Sequence, residues 1–251
     1  MHWTGETERG DWIRDRVHGW GVVGSTVPRG FDAYARIFHP ADMLWREVAA
    51  RSGTTWHPAM QWESIDPSES HGQPMIGCLD LPSLAALALL LEKHTTTPDD
   101  ATAGIWEGLA ELHPQSSFHF TSWTSTGWSS TAPEDTVDPD VSLALARGTL
   151  LELPERRYVL LSARVAEFAD TEWPLHAGIG WSEPIGPTPN LLWPADHAWA
   201  VASEIDFDST LVGGSRALID ALLAAPDLEV GEVNENTDLS SAGDTVNPAP
   251  H

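Results

Sequence analysis

Three carboxylates spaced two residues apart, Glu204, Asp206 and Asp208, are the densest grouping of potentially reactive side chains in this sequence. The alternation over residues 198–207 reads as a strand, with Trp199, Val201, Ser203, Ile205 and Phe207 facing inward. On that reading the acidic residues fall on the other side. Carboxylates at a strand end could bind a hard divalent cation, or attack and protonate a phosphate ester. Residues two apart on a strand are about 6.5–7 Å from each other, which is wide for two ligands of one ion. Asp196 or Glu107 would have to join Glu204, Asp206 and Asp208 to complete a shell. The plainer expectation is that the triplet sits on the wet rim of a sheet, with no metal and no catalytic role.

Other chemistry is thinly represented. The chain has 11 His, but none falls in His-x-x-x-His or His-Glu-x-x-His spacing, so His39, His57, His94 and His197 could meet only through the fold. There is no Gly-x-Ser-x-Gly nucleophile elbow. The single cysteine, Cys78, excludes an internal disulfide and a thiolate-clustered metal site, and it reads as a small core residue. Gly213-Gly214-Ser215-Arg216 could hold an anion at a helix start, but a glycine turn followed by a serine cap explains it as well. No complete catalytic set is present, and no cofactor is expected.

The elements that would position these residues are read from periodicity and punctuation. Asp32–Phe38 alternates as a strand, and Pro40 introduces a helix over Ala41–Arg51 that stops before Gly53. Pro82 opens a second helix that stops near His94, apolar nearly all round and therefore deeply buried. Residues 103–109 suit a strand, since Gly104 and Gly108 weaken a helix. Arg156–Phe168 is a strand with Val159, Leu161, Ala163 and Val165 on one face. Residues 170–196, with five prolines, read as a rigid loop. Gly213-Gly214 reads as a tight turn, Ser215 as an N-cap, and Ala217–Ala225 as a helix ended by Pro226. Residues 1–19 form a polar lead-in, loose or a short helix, 20–230 one α+β domain, and 231–251 a disordered acidic tail. The expected fold class is α+β, a mostly antiparallel sheet with helices packed on one face.

Charge narrows the partners. The formal net charge is −24, and residues 217–251 contain no Lys or Arg. Such a surface repels phosphate backbones, which argues against nucleic acid, and suits solubility or a basic protein partner. No apolar run is long enough for a membrane span and no secretory signal opens the chain, so the expected compartment is the cytoplasm. Of 13 Trp, Trp45, Trp62, Trp106 and Trp199 fit core positions. Trp123 and Trp128 lie in a Ser/Thr-rich excursion over 113–140, where exposed aromatics could anchor a partner. The binding residues read from the sequence are thus Trp123, Trp128, Glu107, Asp196 and Glu204. The oligomeric state is open.

Two resemblances bear on this reading. Val27-Pro28-Arg29-Gly30-Phe31, Tyr34-Ala35-Arg36-Ile37-Phe38-His39-Pro40-Ala41, Trp106-Glu107-Gly108, Leu192-Trp193-Pro194-Ala195-Asp196 and Val212-Gly213-Gly214-Ser215 resemble, in that order, a family of uncharacterised actinobacterial proteins. That resemblance implies a bacterial domain and no particular activity. Ile205-Asp206-Phe207-Asp208-Ser209-Thr210-Leu211 is similar to the first motif of haloacid-dehalogenase-like phosphatases. It would make Asp206 the nucleophile and Asp208 the acid/base beside Mg²⁺. Against this, too little chain follows Thr210 to build the Rossmann-like domain, and the only lysine, Lys93, precedes the motif. The expected function is therefore a non-catalytic protein-binding module, with an Mg-dependent phosphoesterase using Asp206 and Asp208 as the alternative.

Overall fold

Small and β-branched residues alternating with larger ones build a broad sheet. Its strands are β1 (His2–Thr4), β2 (Ala33–Phe38), β3 (Ala101–Trp106), β6 (Leu151–Leu153), β7 (Arg156–Ala163), β8 (Leu191–Pro194), β9 (Trp199–Ala202), β10 (Ser209–Gly214) and β11 (Val230–Val233). A separate hairpin holds β4 (Ser122–Thr124) and β5 (Gly127–Ser129). The structure, a computed structural model, describes residues 1–68, 70–113, 122–124, 127–129, 137–181 and 188–247. The nine-stranded sheet runs β1-β7-β3-β8-β9-β10-β2-β11, with β6 beside β7. Every strand pairing described is antiparallel. The protein is thus α+β.

The helices are α1 (Asp11–Arg14), α2 (Trp45–Ser52), α3 (Trp62–Ile65), α4 (Leu81–Leu91), α5 (Pro139–Arg147), α6 (Trp173–His176) and α7 (Arg216–Leu223). Among the described residues, none is long and apolar enough to cross a membrane. One sheet face presents Ala35, Ile37, Ala103, Leu161, Val201 and Val212 to the buried sides of α4, α5 and α7. Removing this apolar area from water is the main stabilising term of such a layer. Side-chain polar groups fix the helices: the Ser215 hydroxyl accepts from Leu218 N–H at the start of α7. The Trp199 indole N–H donates to the Leu91 carbonyl at the end of α4. Gly53, in the left-handed region, ends α2.

Several elements differ from the sequence reading. Residues 1–19 do hold a short helix, α1, but they are not loose: β1 pairs with β7, and Ile13 of α1 is buried with Val17, Val23 and Val27 against the second sheet face. One strand of three residues and one helical turn are too short to show periodicity. The chain from Gly231, read as a disordered tail, continues in β11 beside β2, and Leu239 packs on the same second face. Helix α2 starts at Trp45 rather than Ala41 because its N-terminus is set by a tertiary partner, described below. Helix α4 is not buried all round, since Leu89 is exposed. The strand from Arg156 stops at Ala163 and gives way to a 3-10 turn at Val165–Ala169. The proline-rich stretch 170–196 supplies both α6 and the central strand β8.

Candidate functional site

The acidic triplet does not lie on a strand. Strand β9 ends at Ala202, residues 203–208 form a turn, and β10 begins at Ser209. The Phe207 N–H donates to the Glu204 carbonyl at 3.0 Å inside this turn. The two-residue period therefore does not apply, and the three carboxylates divide between two arginines. Arg156 donates to Glu204 at 2.7 Å and to Asp206 at 3.1 Å. Asp208 turns the other way, accepting from Arg36 at 2.8 Å. Glu107 pairs with Arg157 at 2.7 Å. Asp196 accepts from the Thr95 and Thr96 hydroxyls and the Thr96 and Ala198 N–H groups. Partial burial raises its pKa, but these hydrogen bonds outweigh that and hold it at about 2. Among the described residues, no three His, Cys, Asp or Glu side chains gather where they could hold a metal ion.

Gly213-Gly214 is not a turn either. Both glycines lie inside β10, paired with Tyr34 and Ala33 of β2 on one side and Ala200 and Trp199 of β9 on the other. A Cβ on Gly213 would stand 2.5 Å from the Phe31 ring, and one on Gly214 would stand 2.8 Å from Leu218. Close packing, not conformational freedom, calls for glycine there. The strand pairing also leaves no glycine loop to cradle an anion ahead of α7.

Two buried polar centres flank the β9–β10 turn: Arg36, which the sequence did not single out, and His39, one of the candidate histidines. The Arg36 guanidinium, 1% exposed, donates to Asp208, the Ser209 hydroxyl and the Pro58 and Met60 carbonyls, and it lies over the Phe38 and Trp45 rings. His39 sits beyond it. Its Nδ1 faces the Met75 carbonyl at 2.6 Å, which can only accept, so Nδ1 carries the proton. Its Nε2 then accepts from the Thr210 hydroxyl at 2.9 Å, and Thr210 accepts from Ser203 at 2.7 Å. Burial pushes the His39 pKa down to about 4, against the opposing effect of the Met75 carbonyl. Ser203, Thr210 and His39 are all buried, so this relay ties β9, β10 and β2 together out of reach of a substrate. Among the described residues, His57 and His197 have other partners. His57 pairs with Asp244 at 2.8 Å, and His197 stacks on Trp12 with ring centres 4.3 Å apart.

The exposed side of the same turn borders two grooves. Trp20 is 77% exposed. It stands between Gly19 and Gly21, both at positive φ, where other L residues are strained. Two grooves of about 270 and 180 Å³ meet at Trp20, Asp206, Phe207 and Ser240. Glu63, Glu155, Glu204, Asp206 and Asp208 line them, and their guanidinium groups, Arg36 and Arg156, are already ion-paired. Ile76, also exposed, forms part of one wall.

No protein-family model, curated protein or solved structure matches this chain. Function must then be read from the chain's own surfaces. Of the aromatic anchors expected from sequence, Trp123 and Trp128 are register partners in the β4–β5 hairpin. Their side chains lie outside the described residues. Trp20 was signalled only by its Gly-Trp-Gly setting, which reads as a loop and says nothing of exposure. Cys78 is buried, and burial raises its thiol pKa to about 11, the opposite of an activated nucleophile.

Proposed function

We propose that this chain is a non-catalytic module that binds a basic segment of another protein across the two grooves flanking Trp20. The observation that carries the reading is the Trp20 indole, held out in water between two left-handed glycines and bordered by carboxylates on both sides. A large exposed aromatic gains most when a partner covers it, and Trp and Arg dominate the energetics of protein interfaces. The indole face suits the stem and head of an arginine or lysine, while Asp206 and Glu63 attract the charge. The net charge of −24 would speed the encounter with a cationic partner at low salt.

The phosphoesterase alternative is less well supported. A nucleophilic Asp206 and an acid/base Asp208 would have to address one phosphorus, yet they bond to different arginines. Selection of a displayed random-peptide library against the purified chain tests the binding reading. Enriched peptides should combine Arg or Lys with an apolar residue, and a Trp20→Ala variant should bind them at least about tenfold more weakly. Selected peptides that bind the variant as tightly as the parent would defeat the reading. Hydrolysis of a generic phosphate ester with Mg²⁺ that Asp206→Asn abolishes would establish the alternative.

A further inference from the structure

We infer that a second cavity, of about 710 Å³, binds a small organic cation with an apolar body. It lies between the start of α2 and the connection from α7 to β11, and it is larger than either groove beside Trp20. Its volume falls in the range that holds one small molecule. Trp56, Phe38, Met43 and Leu223 supply apolar walls.

One polar group in this wall lacks a protein partner. The Ser83 side chain, only 8% exposed, makes no hydrogen bond among the described residues. Its hydroxyl oxygen can accept from a bound donor such as an ammonium group.

The charge around the cavity selects the sign of the ligand. The N-terminus of α2 opens here and would by itself favour an anion. That role is taken, because the buried Glu229 carboxylate accepts from the Trp45 N–H at 2.7 Å and the Arg46 N–H at 2.9 Å. Glu229 also accepts from the Arg46 side chain, so the one guanidinium at the site is neutralised. Asp42, Glu47 and Asp227 remain on the lining, and no ion pair holds any of them among the described residues. A cationic head near these carboxylates, with an apolar body against Trp56 and Met43, satisfies both features. An organic anion would meet three unpaired carboxylates.

The test uses the full chain labelled with ¹⁵N and two phenylalkyl probes of similar size and opposite charge, phenethylamine and 3-phenylpropionate. The Trp56 indole N–H resonance, assigned with Trp56→Phe, reports occupancy. Phenethylamine should shift it saturably, and 3-phenylpropionate should leave it unmoved. Asp227→Asn, at an exposed position that does not threaten folding, should weaken the amine roughly threefold or more. Ser83→Leu should fill the cavity and block it. Trp20→Ala should bind the amine like the parent, which separates this site from the grooves. No shift with the amine, equal shifts with both probes, or an unchanged affinity in Asp227→Asn would overturn the inference.

Discussion

Arg36 donates to the Asp208 carboxylate at 2.8 Å from a guanidinium that the fold removes almost wholly from water. The pair joins β2 to the end of the β9–β10 turn, and it makes Asp208 a structural counter-ion. Burial lowers the Arg36 pKa, and Asp208 opposes that shift. Removing one partner of a buried pair strands the other charge. We therefore predict that Asp208→Asn destabilises the protein by about 3 kcal/mol. Asp206 is 73% exposed on its side chain, and Asp206→Asn should change stability by less than about 0.5 kcal/mol. Urea unfolding of the two variants checks the contrast. Equal midpoints would show that Asp208 does not neutralise Arg36.

Gly213 makes the second prediction. Its missing Cβ leaves room for the Phe31 ring at 2.5 Å and the Tyr34 ring at 3.0 Å from where that atom would lie. Gly213→Ala forces those rings apart in a packed layer, at a cost of about 1–3 kcal/mol. If Gly213-Gly214 acted as a turn of ordinary backbone conformation, alanine would be tolerated or mildly stabilising. The sign of the change in unfolding free energy decides between a packing role and a turn role.

These cases mark what sequence reasoning could reach. The α+β class, the strands at β2, β3 and β7, and the helices α4 and α7 follow from apolar periodicity, proline and a serine cap, because burial and capping act locally. The β9–β10 hairpin was missed because Ser203, Ile205 and Phe207 continue the alternation of β9 past its end. Apolar alternation cannot distinguish a strand from a turn whose side chains fold back on the surface. Strand β8 was hidden among prolines, and Pro194 is tolerated at its last position. The partners of Glu204, Asp206 and Asp208 come from β7 and β2, far away in sequence, so no local spacing could reveal them. Trp20 gave no signal of exposure, since glycine neighbours suit a buried loop equally well.

Glu229 explains where α2 begins. Its carboxylate, supplied from just before β11, accepts the first free N–H groups of the helix at Trp45 and Arg46. A cap of this kind contributes about 1 kcal/mol, more when the charge also meets the helix dipole. Glu229→Ala should destabilise by about 1–2 kcal/mol, and Glu229→Gln, which keeps one acceptor oxygen, by less. Amide hydrogen exchange should place the loss locally, with faster exchange at Trp45 and Arg46. Unchanged exchange at those two amides would mean that α2 is capped in some other way.

His39 sets an acid limit on stability. Its folded pKa is about 4, below the roughly 6.5 expected of an unfolded histidine. The unfolded chain therefore takes up the proton first as pH falls. The contribution is complete above about pH 6.5, declines between about 6.5 and 4, and is exhausted below that window, a total of about 3 kcal/mol. Charges near the ring act in both directions: Asp208 and Asp80 favour protonation, and Arg36 opposes it. His197, its pKa also lowered by burial and by Arg16, adds a smaller effect of the same sign. The carboxylate of Asp196, held at about 2, loses its contribution only at lower pH. Unfolding free energy measured by urea from pH 7.5 to 4 should fall for the parent. His39→Gln keeps a donor for Met75 or an acceptor for Thr210, so it should start less stable and lose much less over the same range. A variant as steep as the parent would place the titrating group elsewhere and sever the Ser203–Thr210–His39 relay from the acid response.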